Sequence, residues 1–219
     1  MAVCQIHCTL GFYSGFCART RLVYFNIRGR AELTRLLFAA ADLKYEDQRF
    51  DFGSDQWKEL KPKTPMGQAP VLYIDDVALC QSQTIARYVA RTTGLAGRTP
   101  LEEAKADMIA DGLEDLGKKQ VAMFNEKDEE KKVELQKELT GAFLTQFLGN
   151  YEKLASVDGF FVGDSLTWAD IAFFNMLGWV TPLDPAVLDR FPNLSKVMDN
   201  VQSQQGIARW LKERPQTNM

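Results

Sequence analysis

Residues 64–90 limit the possible folds more than any other stretch of the sequence. A turn-rich lead-in ends at Pro70, and two short apolar runs follow, separated by two aspartates. Short β-type runs split in this way predict a hairpin. Helical spacing begins near Ile85, and Ser82 stands where a first-turn or capping residue belongs. The stretch therefore predicts a hairpin leading into a helix whose free N–H groups suit an anion, although an ordinary ββα unit with a capped helix fits the pattern equally.

The residues before the hairpin extend this unit into a small α/β domain over residues 19–94. A strand is predicted at 20–26, and apolar positions over 33–40 follow the helical period. A second strand is indicated at 45–52 and a short helix at 55–61. The predicted element order of this domain is βαβαββα.

Composition turns helical after a predicted linker at 95–100, so an all-helical second domain is expected at 101–219. The apolar face of its first long helix is predicted to carry Met108, Ile109, Leu113 and Leu116. Further helices are predicted at 135–154, 167–180, 186–190, 193–203 and 206–212. The 167–180 helix begins with a capping box of Thr167 and Asp170, and it is apolar nearly all round, which predicts that it is buried.

Composition and charge exclude several classes of function. Of the 219 residues, 46% are hydrophobic and 25% are charged, as in globular proteins. A net charge of −3 argues against binding to a phosphate backbone, and no apolar run approaches the length of a membrane span.

Residues 1–18 show no periodicity and are predicted to be a poorly patterned extension without the basic start of a signal peptide. Cys4, His7 and Cys8 lie there, but their spacing fits no zinc pattern and a fourth ligand is missing. Because His7 is the only histidine, triads that need one are not expected.

Four segments carry a likeness to one family. They read YFNIRGRAE at 24–32, QAPVL at 68–72, QSQTIARY at 81–88 and FVGDSLTWAD at 161–170. In this order and spacing they resemble the cytosolic glutathione transferases of the sigma class. The resemblance implies a thioredoxin-like α/β domain followed by an all-helical bundle. It also implies a cytoplasmic homodimer that uses glutathione as co-substrate with a small hydrophobic electrophile and requires no metal.

The resemblance assigns catalysis to Tyr24 and Arg30. In the family the tyrosine hydroxyl donates a hydrogen bond to the glutathione sulfur, and the arginine adds positive potential. The other implied glutathione-binding residues are Trp57, Lys61, Gln68, Ala69, Pro70, Gln81, Ser82 and Asp115. Asp115 would reach the glutathione of the other subunit, whereas Arg28 is expected to be a solvated charge.

General chemistry agrees with these assignments. A thiol with a pKa near 8.5 is only a few per cent ionised at about pH 7. A hydrogen bond to a charged partner contributes about 1.5–3 kcal/mol, so one from Tyr24 would lower that pKa by roughly one to two units. Gln81 and Ser82 would hold the γ-glutamyl carboxylate at a helix N-terminus. The Ala69 backbone, beside a cis-Pro70, would pair with the cysteinyl unit as an added strand does.

The same resemblance implies that Trp57 and Lys61 bind the glycyl end of the tripeptide. Gln68 stands where relatives often have lysine, and its amide can still donate a hydrogen bond.

Two alternative functions remain open. One is prostaglandin H to D isomerisation, in which Asp111, Glu114 and Asp115 would resemble an interface metal cluster. Ala122 speaks against it, because the isomerase has a tryptophan there. The other is a structural role like that of the S-crystallins, which the intact site residues oppose. If these acidic residues bind no metal, Asp107 and Glu114 are interpreted as part of a solvated helix face.

Overall fold

The computed structural model describes residues 19–217. The extension at 1–18, with Cys4, His7 and Cys8, lies outside this range. A mixed four-stranded sheet with strand order β2-β1-β3-β4 forms the N-terminal half. Its strands are β1 (Thr20–Phe25), β2 (Glu46–Phe50), β3 (Val71–Ile74) and β4 (Val77–Cys80). Its helices are α1 (Glu32–Ala40), α2 (Asp55–Leu60) and α3 (Ser82–Thr92). The first strand pairs in parallel with β2 and antiparallel with β3.

The central strands are buried on both faces. Leu22 and Val23 of β1 and Val71 and Leu72 of β3 are fully buried, and α1 and α3 pack on the sheet. The predicted hairpin is confirmed, with Asp75 at its turn in the left-handed region at φ 50°, which aspartate tolerates better than most residues.

The C-terminal half is helical. Its helices are α4 (Pro100–Gly112), α5 (Glu114–Asn125), α6 (Glu129–Glu138), α7 (Leu144–Leu154), α8 (Trp168–Leu177), α9 (Pro192–Ser203) and α10 (Gln205–Glu213). In the buried helix α8, Trp168, Ile171 and Phe173 have no exposed surface, as its apolar sequence predicts. The capping box of Thr167 and Asp170 is present.

Two long helices differ from their predictions. The first breaks at Leu113 between α4 and α5, and Met108 is 56% exposed instead of lying on the core face. Ala106 and Ala110 share the buried positions of α4 with Ile109. Of the predicted core face, Ile109, Leu113 and Leu116 are buried as expected. The second is interrupted by a π-type turn at Leu139–Phe143, where Gly141 leaves the helical region with ψ −137°.

The prediction of a helix at 186–190 is wrong. Successive turns occupy this segment, with N–H groups of Val187, Asp189 and Phe191 bonded three residues back. Pro185 and Pro192 flank the segment, and proline cannot donate the N–H bonds that would extend a helix. The helix predicted over 167–180 also ends early, at Leu177.

Several groups of contacts join the halves. Arg87 of α3 lies 2.9 Å from Asp107 and 2.7 Å from Asp111 of α4. Burial works against the charge of Arg87, but the two aspartates outweigh it and raise the Arg87 pKa. At the other end, α10 packs on α1. Within residues 19–217, every helix is too short or too polar to cross a membrane.

Candidate active site

Tyr24 lies near the end of β1, with only 6% of its surface exposed. Its hydroxyl oxygen accepts a hydrogen bond of 3.1 Å from the backbone N–H of Arg30. Gly29 has φ 41°, and a Cβ there would lie 2.8 Å from the Tyr24 hydroxyl. Glycine therefore allows the chain to turn closely around this hydroxyl.

A cavity of about 640 Å³ opens between the two halves beside this hydroxyl. Tyr24, Arg30 and Ser82 line it from the α/β half. Its opposite wall comes from α5, the end of α8 and the turn after α8. This wall is largely apolar, with Phe124 and Trp179 in edge contact at 5.8 Å. The cavity is large enough for a small-molecule ligand, and three of the predicted site residues share it.

Helix α3 presents its N-terminus to this cavity. Gln81 precedes the helix at φ 73°, and Ser82 is its first residue. The free N–H groups and dipole of this end favour an anion. Next to Ser82, the Gln83 side chain donates 2.8 Å to Glu114 of α5 and also lines the cavity. Sequence reasoning missed Gln83, because its partner lies in the other half of the chain.

Trp57 of α2 lies outside the cavity wall but is held by the sheet edge. Its ring stacks on Phe50 at 5.1 Å and meets Phe25 edge-on at 5.4 Å. Ser54 caps the helix by accepting from the Trp57 N–H. The capped helix and the aromatic stack therefore fix where Trp57 stands.

The loop from Lys61 to Pro70 borders Gln81. Lys61 and Gln68 are exposed, and the Ala69–Pro70 peptide bond is cis. The Gln81 amide lies 3.3 Å from the Met66 sulfur, which brings this loop against the residue preceding α3. The contact of Met66 with Gln81 joins this loop to the start of α3, whose next residue, Ser82, lines the cavity.

The three acidic residues of the metal hypothesis turn to different partners. Asp111 pairs with Arg87, Glu114 accepts from Gln83, and Asp115 pairs with Lys118 at 3.1 Å. In the described range, no three histidine, cysteine or acidic residues gather as metal ligands. Asp107 also departs from its prediction as a solvated residue, because it pairs with Arg87 and Arg91.

Arg28 is not the solvated charge that the sequence suggested. Its guanidinium lies 4.0 Å from the ring centroid of Trp179, a cation–π contact across the two halves. Burial and the nearby Arg214 lower the pKa of Arg28, against a smaller opposing effect of Glu32. The sequence carried no local signal for this contact.

Gln120 is a second cavity residue that the sequence analysis missed. It is 5% exposed, and its side-chain nitrogen is buried with no hydrogen-bond partner among the described residues.

Comparisons with known proteins agree across the chain. A family model described as "Glutathione S-transferase, N-terminal domain" matches residues 20–91, and the corresponding C-terminal domain model matches 114–214. The hematopoietic prostaglandin D synthase of Gallus gallus is 38% identical over 90% of this chain and 97% of its own length. Glutathione S-transferase 1 of Ascaris suum is 38% identical over the same shares.

Solved structures give the same result. The sigma-class enzyme of Fasciola hepatica superposes with a TM-score of 0.82 at 28% identity, covering 92% of this chain and 99% of that one. A structure of rat hPGDS complexed with a quinoline gives 0.81 at 33% identity, covering 92% and 100%. A mixed four-stranded sheet domain followed by a helical domain is the glutathione transferase fold. The chain belongs to the glutathione S-transferase family.

Proposed function

We propose that this protein conjugates glutathione to small hydrophobic electrophiles, with Tyr24 as the residue that activates the thiol. The observation that carries the proposal is the Tyr24 hydroxyl, which accepts the Arg30 N–H at the wall of the cavity between the two halves. With that N–H bonded to its oxygen, the hydroxyl proton is left to point at a thiol placed in the cavity.

The proposed step is nucleophilic substitution or addition at carbon. The hydroxyl donates to the glutathione sulfur and stabilises the thiolate, and Arg30 adds positive potential. The thiolate then forms the carbon–sulfur bond, and the leaving group departs with the electron pair of the broken bond. In an addition, the electron pair moves onto the acceptor, which takes a proton from water in place of the proton that the thiol released to water.

The tripeptide would extend from α3 to α2. The N-terminus of α3, with Gln81 and Ser82, suits the γ-glutamyl carboxylate. The Ala69 backbone would pair with the cysteinyl unit beside Pro70, as an added strand does. At the glycyl end, Trp57 is held by its aromatic stack, and Lys61 and Gln68 are exposed and supply donors.

We also propose a cytoplasmic homodimer in which Asp115 completes the partner's site. Asp115 is 74% exposed on α5, and in its own chain it pairs with Lys118. An exposed carboxylate of this kind is available to the glutathione amine of a second subunit.

Prostaglandin H to D isomerisation is the second candidate. It is supported by relatives that carry the name hematopoietic prostaglandin D synthase, at 34–38% identity. Ala122 weighs against it, because it leaves a methyl group in the cavity wall where that activity would have a tryptophan. A structural role like that of the S-crystallins is the non-enzymatic alternative, and the polar residues around the cavity argue against it.

The test combines retention on immobilised glutathione with turnover of a chlorodinitrobenzene-type substrate. We expect retention, elution by free glutathione, and turnover that saturates with both substrates. Conversion of prostaglandin H with no aryl transfer would favour the isomerase. Retention without either reaction would favour a non-enzymatic role.

A further inference from the structure

Arg35 of α1 is a buried cation outside the substrate cavity that has no role in the proposed chemistry. It is fully buried, and its guanidinium lies 5.9 Å from the centroid of the Tyr24 ring. Charged side chains are almost never buried without partners. Its contacts therefore indicate what its burial serves.

The guanidinium holds the turn that surrounds the catalytic hydroxyl. Its Nη1 atom lies 2.8 Å from the carbonyl oxygen of Ile27 and 3.3 Å from that of Arg28. These two carbonyls immediately precede Gly29, where the chain reverses, and Arg30, whose N–H meets the Tyr24 hydroxyl. One planar group thus fixes two consecutive peptide units just before the N–H that acts on the tyrosine.

Arg35 is itself held from two sides. Its Nε atom bonds to the Asp47 carboxylate of β2 at 3.1 Å, and Glu32 of α1 lies 3.5 Å from Nη1. Glu32 in turn accepts from Trp210 and Arg214 at the C-terminal end of the chain, each at 2.9 Å. The guanidinium is therefore locked in one orientation, which a flexible exposed arginine would not be.

We propose that Arg35 is a positioning residue for thiol activation, acting through the turn at residues 27–30. This inference rests on the proposed function. The N–H of Arg30 polarises the Tyr24 hydroxyl and directs its proton away, because hydrogen bonds in a chain strengthen one another. When Arg35 no longer holds the Ile27 and Arg28 carbonyls, the N–H loses its alignment and the hydroxyl becomes a weaker donor to the glutathione sulfur.

The chain offers a matched control at Arg49. Its Nε atom lies 2.8 Å from the same Asp47 carboxylate, and its side chain is also largely buried, at 15% exposed. Its guanidinium lies 6.0 Å from the Trp210 ring centroid, away from the turn. Replacing Arg49 therefore removes an ion pair with Asp47 and leaves the carbonyl contacts of Arg35 in place.

The experiment compares the parent with Arg35→Lys, Arg35→Met and Arg49→Met. The pKa of enzyme-bound glutathione is read from thiolate absorbance against pH, and kcat and the glutathione KM are measured across the same range. Arg30, Glu114 and Lys118 face the cavity, while Glu32, Asp47 and Arg214 surround Arg35. All of these groups stay in each variant. A shift in the pKa of bound glutathione that occurs only in the Arg35 variants is therefore caused by the change at the turn of residues 27–30.

We expect both Arg35 variants to raise the bound thiol's pKa by about one unit, because lysine keeps the charge but cannot bridge two carbonyls and a carboxylate as a planar fork. Turnover near pH 6.5 should then fall about ten-fold and recover at higher pH, with the glutathione KM changed less than about three-fold. Arg49→Met should leave the thiol pKa unchanged.

An unchanged thiol pKa in folded Arg35→Lys, or an equal shift in Arg49→Met, overturns the inference. If both Arg35 variants fail to fold, Asp47→Asn weakens the hold on Arg35 without removing it. In that case a raised thiol pKa in Asp47→Asn supports the inference and an unchanged one overturns it. A parent that neither binds glutathione nor turns over refutes the proposed function instead, so the two failures are distinguishable.

Discussion

Gly206 of α10 packs so closely on Ala39 of α1 that a methyl group at position 206 would overlap the Ala39 carbonyl oxygen. The Gln204 side chain donates to the next carbonyl, of Ala40, at 2.9 Å. The backbones of the two helices are therefore in direct contact. Through this contact α10 packs the helical half against the α/β half.

Gly206→Ala should lower the free energy of unfolding. The added methyl would push α10 away from α1, and overpacking of this kind costs about 1–3 kcal/mol, outweighing a gain of up to about 1 kcal/mol in helix propensity. Gly149→Ala is the control, because a Cβ there in α7 would lie 4.0 Å from Phe191. Urea unfolding should show a lower midpoint for Gly206→Ala and an equal or higher one for Gly149→Ala. If the urea midpoint moved in the same direction in both variants, close packing of Gly206 on Ala39 would not be what determines the effect of the added methyl group.

Arg87→Met should destabilise the junction of α3 and α4. The arginine donates a hydrogen bond to Asp111 and forms an ion pair with Asp107 while only 23% exposed, and a hydrogen bond to a charged group contributes about 1.5–3 kcal/mol. Lys58→Met is the control, since Lys58 and Asp55 are an exposed pair, which is worth about 0–1 kcal/mol. If urea unfolding showed that both variants lose a similar amount of stability, the pairing of Arg87 at the junction would contribute no more than an exposed ion pair.

Much of the fold and part of the site could be predicted from the sequence, because those features are local. The hairpin, the Thr167 capping box and the segment around Tyr24 each lie within a few residues. Contacts between residues that are distant in the chain leave no local pattern in the sequence. Gly206 meets Ala39 only after the halves dock, and Arg28 meets Trp179 in the same way.

Two of the wrong predictions have the same physical origin. One helical period extended through Leu113 places Met108 on the core face, but the chain breaks there between α4 and α5 and Met108 is exposed. The sequence predicts a solvated Asp107 because the partner of this residue, Arg87, lies in the other half of the chain. Periodicity describes one helix at a time and carries no information on which charges two helices bring together.

The carboxyl of Asp170 should titrate near pH 6. Burial raises its pKa to about 6, although hydrogen bonds from Phe161 and Thr167 oppose the shift. Since the folded value lies above the ordinary 3.8, this carboxyl contributes stability below pH 3.8 and loses it as the pH rises through 6. An NMR titration of labelled aspartate, assigned with Asp170→Asn, checks the midpoint. A midpoint near 4 would mean that the donated hydrogen bonds offset the effect of burial.

Asp115→Ala should weaken glutathione binding about five- to ten-fold and leave the dimer intact, because it removes one exposed charge contact to a bound amine, worth about 1 kcal/mol. Glu129→Ala is the control, as it also removes an exposed carboxylate that pairs three residues along its helix. Calorimetry gives the affinity, and sedimentation gives the assembly state. An active monomer would refute completion of the site by a second subunit.

Tyr24→Phe should lower turnover ten-fold or more, because the loss of about 1.4 kcal/mol of transition-state stabilisation is a factor of ten. Glutathione affinity should change little, since the proposed contacts to the tripeptide are spread over α2, the loop before β3 and α3. The bound thiol's pKa, read from thiolate absorbance, should rise by one or two units. Tyr73→Phe is the matched control, because Tyr73 lies on β3 against Arg21 and away from the cavity wall. If Tyr24→Phe and Tyr73→Phe give the same thiol titration as the parent, the Tyr24 hydroxyl is not the activating group.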